Sequence, residues 1–139
     1  SLGLLLPFVD REEFELWIDS ADAYLLPMSF DPTQKRRMET SFLSKCTEFS
    51  RLSKPLVVWS PSYGSISCWA SSKPFTVVVN DARPESLEAA LCNVISNPKR
   101  LESIKLEASK HLSDEFDPGT IQSQFLGSLL SLSVKALSR

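Results

Sequence analysis

At 139 residues the chain fits one domain large enough to bury a core, and 42% hydrophobic with 23% charged residues is ordinary for a globular protein. A formal net charge of −2, with basic residues scattered apart from Lys35-Arg36-Arg37, removes the electrostatic case for nucleic acid or an anionic membrane. No apolar run approaches the ~20 residues of a membrane span, and Leu2-Gly3-Leu4-Leu5-Leu6 has no basic residue before it, so it suits a buried strand rather than a signal peptide.

Leu4 to Leu6 is a short strand candidate closed by the Pro7 turn. Asp10 then starts a helix, with Glu13 completing a capping-box pattern. Phe14, Trp17, Ile18 and Ala21 follow at helical spacing and make one apolar face. Ala23-Tyr24-Leu25-Leu26 is a compact buried strand stopped by Pro27. Met28 to Glu39 has no apolar period and holds Asp31-Pro32 and the basic trio, which predicts a loop. The trio suits a solvated loop better than a phosphate site.

A helix over about Ser44–Leu52 buries Cys46, Phe49 and Leu52, and Lys54-Pro55 breaks it. Leu56-Val57-Val58-Trp59 is a continuous apolar strand. Ser60 as cap and Pro61 at the first helical position predict a short helix to Ala70. Phe75 to Val79 is a third clear strand, followed by a helix from Pro84 to Ser96 with Leu87, Leu91, Val94 and Ile95 inward. Asn97-Pro98 and Asp117-Pro118 begin the last two helices. One carries Leu101, Ile104, Ala108 and Leu112 on its apolar face, the other Ile121, Phe125, Leu129 and Leu132.

Short apolar strands alternating with amphipathic helices mean parallel βαβ units with strands buried on both faces. The fold class is therefore α/β, a parallel sheet with flanking helices. A sheet of three or four strands is thin for that architecture, and its unpaired edge favours self-association. The 3 cysteines, Cys46, Cys68 and Cys92, form no CxxC pair and read as small buried hydrophobes in a reducing, cytoplasmic compartment. With His111 as the single histidine, no metal site is expected.

Ligands of open parallel sheets bind beyond the carboxyl ends of the strands. The long connection after Leu26 leads to the helix start Thr40-Ser41-Phe42-Leu43-Ser44-Lys45-Cys46-Thr47-Glu48. Free amides and the positive dipole end there suit a pyrophosphate, with Lys45 adding charge and Glu48 able to accept from two vicinal ribose hydroxyls. By spacing alone, Lys45 and Glu48 read better as an exposed helical pair than as a ligand site. Trp59, Tyr63 and Trp69 group around the third loop, where core and lid packing competes with stacking on a sugar or base.

The order of these segments adds a resemblance. Lys45-Cys46-Thr47-Glu48-Phe49, then Leu52-Ser53-Lys54-Pro55-Leu56-Val57-Val58, resembles the K-x-x-E-Y-x-x-x-G-K-P-V-V segment of retaining glycosyltransferases of GT-B architecture (glycosyl transferases group 1, family 4-like). Phe8-Val9-Asp10-Arg11-Glu12-Glu13-Phe14 is similar to that family's G-F-V-x-x-E-E-L turn and helix. Ser20-Ala21-Asp22-Ala23-Tyr24-Leu25-Leu26-Pro27 is similar to its S-A-D-x-x-L-L-P strand, and Pro84 to Leu91 to its D-P-E-S-L-A-E-A-L helix.

The resemblance implies that residues 1–139 form part of a truncated Rossmann-like C-terminal domain, the part that binds a nucleotide diphosphate sugar. It implies that Glu48 binds the ribose, that the turn at Leu43 and Ser44 holds the diphosphate, and that Phe8 and Val9 lie against the base. Thr40 stands where the family's sugar-facing glutamate falls, and Ser53 replaces the glycine before Lys54-Pro55. No catalytic residue is expected in this stretch, and no cofactor beyond the donor substrate. An unknown acceptor and an N-terminal domain are the implied partners, and the fragment alone is expected to be inactive. The rival reading is a non-catalytic α/β scaffold derived from such an enzyme.

Overall fold

The computed structural model describes residues 8–42, 44–50 and 54–137, with side chains at all of these except 47, 48, 50, 112–115 and 131–137. The strand expected at Leu4–Leu6 lies outside the described residues, as do Leu52 and Ser53. Among the described residues the elements are α1 (Arg11–Ser20), β1 (Tyr24–Pro27), a 3-10 turn (Pro32–Gln34), α2 (Lys35–Thr40), α3 (Lys45–Ser50), β2 (Leu56–Trp59), α4 (Ser65–Ala70), β3 (Thr76–Val79), α5 (Pro84–Ile95), α6 (Pro98–Glu115) and α7 (Pro118–Leu137).

The strands form a parallel sheet in the order β1-β2-β3, with Tyr24 level with Leu56 and Leu56 level with Thr76. Alternation along a strand then sorts its residues to two faces. One face carries Tyr24, Leu26, Leu56, Val58 and Val78, and packs with Cys46 of α3, Ile66 and Ala70 of α4, Phe75, and Ala108 of α6. The other carries Val57 and Val77, and packs with Leu87, Ala90, Leu91 and Val94 of α5 and Leu101 and Ile104 of α6. Because each strand-to-strand step moves the same way across the sheet, right-handed crossovers deliver α3 and α4 to the same face. Ile104 and Ala108 belong to opposite clusters, and Lys105 Nζ lies 3.2 Å from Asp22 just ahead of β1. So α6 passes across the amino edge of the sheet.

Three of the caps read from the sequence are made. Asp10, Asn97 and Asp117 each accept a hydrogen bond from an amide in the first turn of the helix that follows, those of Glu13, Arg100 and Thr120. Lys54 does something the sequence reading missed. Its ammonium donates to the carbonyls of Asp19 and Ala21, closing the end of α1 against the start of β2.

Other expectations are corrected. Residues 28–39 are not one loop: Asp31 accepts from the Thr33 amide at 2.8 Å and Pro32 opens the turn that runs into α2, which buries Met38. Likewise the helix expected from Pro61 starts at Ser65. The Gly64 amide donates to the Pro61 carbonyl at 2.9 Å, so Pro61 opens a turn instead. Gly64 suits the close approach there, since a Cβ would lie 2.7 Å from Ser60 Oγ and 3.1 Å from the Pro61 carbonyl. β1 is buried on one face only, because Leu25 is 44% exposed. Phe14 and Trp17 of α1, Ile95 of α5 and the α7 residues Ile121, Phe125 and Leu129 are exposed rather than covered. Leu112 and Leu132 lie outside the described side chains. Cys46 is buried, and burial pushes its thiol up to about 11, but Cys68 and Cys92 are exposed. All of these cysteines are free.

The two faces of the sheet set a stability contrast. Leu56→Ala, at a fully buried site, is expected to cost about 2–5 kcal/mol. Leu25→Ala should cost under about 1 kcal/mol, since much of that side chain already meets water. Urea midpoints measure both, and equal costs would contradict the assignment of faces.

Candidate functional site

The strands end together at Pro27, Trp59 and Val79, so the connections that follow them gather along one edge. Two of these connections are locked by polar side chains. Asn80 Nδ2 donates to the Ser60 carbonyl at 2.7 Å and to Ser67 Oγ at 3.2 Å, while Ser67 Oγ donates to the same carbonyl. Ser60 and Ser67 are both buried, and no buried side-chain polar atom among the described residues lacks a partner. Trp59 Nε1 donates to the Asp81 carbonyl at 2.7 Å, and Phe30, just past β1, packs on the Trp59 ring at 5.7 Å.

The third connection runs from β1 through α2 to α3. Its turn is held from α4, where Ser65 Oγ donates to the Ser41 carbonyl. Lys35 of α2 stands 5.3 Å from the centre of the Tyr63 ring and pairs with Glu39 at 3.7 Å. At its far end α3 reaches the start of β1, where Phe49 stacks on Tyr24 with ring centres 4.3 Å apart. Helix α3 therefore runs antiparallel to the strands, with its amino end on the carboxyl edge.

The expected site residues divide accordingly. Ser44 and Lys45 are exposed at the amino end of α3. Glu48 stands one turn further along that helix, but its side chain, like the whole of Leu43, lies outside the described residues. Thr40 does not lie in a loop leading into α3. It closes α2, and its hydroxyl donates to the Arg36 and Arg37 carbonyls at 3.0 and 3.4 Å. Phe8 is fully exposed and Val9 half-buried, immediately ahead of the Asp10 cap.

The aromatic group expected around the third loop is divided. Trp59 and Tyr63 are on the carboxyl edge, whereas Trp69 lies at the other end of α4 against Phe42, Phe75 and Phe116. That is packing, not a ligand border. His111 pairs with Glu107 at 3.3 Å on an exposed stretch of α6. No group of three or more His, Cys, Asp and Glu among the described residues is placed to hold a metal ion. No helix among them is long and apolar enough to cross a membrane.

Sequence reasoning missed Asp81. Its carboxylate accepts from the Arg83 guanidinium at 2.6 Å, from the Arg83 amide at 3.0 Å and from Ser86 Oγ at 2.9 Å. The signal was present as Asp81-Ala82-Arg83, an acid two residues before a base and just ahead of the helix start at Pro84. Two cavities border the opposite, amino edge. One of about 490 Å³ is lined by Lys73, Phe75, His111, Thr120 and Gln124, and one of about 410 Å³ by Asp22, Lys54, Glu102 and Lys105. Neither includes an expected site residue.

Matched against protein-family models, curated proteins and solved structures, the chain finds no counterpart.

The Asp81 bonds make a pH prediction. Hydrogen bonds from Arg83 and Ser86 hold this carboxyl well below the usual carboxylate range. Its contribution to stability is thus present above the unfolded value near pH ~4 and lost as pH falls through the depressed folded value. A carbon-detected titration should place its midpoint below the usual carboxylate range, and Arg83→Gln should raise it. An ordinary midpoint, unmoved by the substitution, would contradict the bonding.

Proposed function

We propose that this chain is the donor-binding part of a retaining glycosyltransferase, which moves a sugar from a nucleotide diphosphate to an acceptor. The observation that carries the reading is the direction of α3, whose amino end opens on the carboxyl edge of a parallel sheet. Free amides and the positive end of the helix dipole favour an anion at such a position. In this reading the turn at Leu43 and Ser44 holds the diphosphate and Lys45 adds a positive charge beside it. Glu48, one turn along, accepts from the ribose hydroxyls. Phe8 and Val9, ahead of α1, cover the base. The role assigned to these residues is binding and orientation of the donor, and the groups that act on the transferred sugar belong to other segments of the enzyme. The ordered resemblance of the segments around Phe8, Ser20, Lys45 and Pro84 to glycosyltransferases of GT-B architecture supports the same assignment.

A second reading is a non-catalytic scaffold of the same descent. It is favoured by Thr40, which replaces the family's sugar-facing glutamate and directs its hydroxyl to carbonyls of its own helix. Nucleotide binding discriminates the two. Titrating uridine and adenosine diphosphates by NMR should perturb amides at 40–46 and 8–10. Glu48→Ala should weaken binding roughly tenfold or more, as expected for the loss of hydrogen bonds to a charged group worth about 1.5–3 kcal/mol. Perturbations confined to other surfaces, or an affinity indifferent to Glu48, would favour the scaffold.

The sheet edge supports a further partner, a second copy of the chain. No strand pairs with the outer side of β1 among the described residues, and Leu25 beside it is exposed. Such an edge templates pairing unless it is covered or charged. Sedimentation should show association that rises with concentration and is reduced by Leu25→Lys. A monomer over the whole accessible range would contradict self-association.

A further inference from the structure

We draw no further inference here: the strongest candidate, the exposed apolar stripe of Ile121, Phe125 and Leu129 on α7, carries nothing because no feature among the described residues shows what covers it.

Discussion

A strand that pairs in parallel with its predecessor cannot be reached by a tight turn; the chain must first travel back over the sheet. That requirement governs this molecule. Between β1 and β2 the return is made by α2 and α3, and between β2 and β3 by α4. Both returns step the same way across the sheet, and α3 and α4 share a face and bury Cys46, Ile66 and Ala70 against Tyr24, Leu26, Leu56 and Val58, as crossovers of one hand require. The same geometry gathers every strand-to-helix connection on one edge. The position of the candidate site is thus a consequence of how the core is closed.

Along that edge the polar groups fall into two kinds. Those of Ser60, Ser67, Asn80 and Trp59 are consumed in tying the ends of β2 and β3 together, and Asp81 is held by Arg83 and Ser86. They give the edge a fixed shape. Lys45, by contrast, is exposed in the first turn of α3, in a position whose backbone dipole favours the same anion that its ammonium would attract. The division is that of a rigid platform beside an open helix start, and it is the physical content of the donor-binding proposal.

How much of this was legible depended on whether neighbours in sequence or in space decide the outcome. Leu56 to Trp59 and Thr76 to Val79 were readable because a strand buried between helices must be apolar almost throughout. Asp10, Asn97 and Asp117 were readable because a cap is made within one turn. Asp31-Pro32 carries the same local signal, but the polar stretch after it hid α2, whose one buried side chain is Met38. Ser60-Pro61 misled for the opposite reason. It looks like a cap, yet Ser60 is committed to its partners across the sheet and the helix waits until Ser65. Lys54 as the clamp on α1, and Trp69 as a packing residue of the amino end, depend on contacts distant along the chain. The apolar spacing of α7 foretold a helix correctly, but periodicity says nothing of whether another surface lies against it. Around the candidate site, the helix start near Lys45 was legible from the apolar spacing that follows it, while the helix that Thr40 closes was not, because the break at Ser41 has no proline or glycine to mark it.

The direction of α3 underlies the account, and nuclear Overhauser contacts measure it most directly. The account predicts cross-peaks between the Phe49 and Tyr24 rings at one end of the helix, and between Ser41 and Ser65 at the other. Spectra that instead place Phe49 beside the first turn of α4, or Ser41 beside the start of β1, would reverse the helix. They would also remove its amino end from the carboxyl edge, and the donor-binding reading would fall with it.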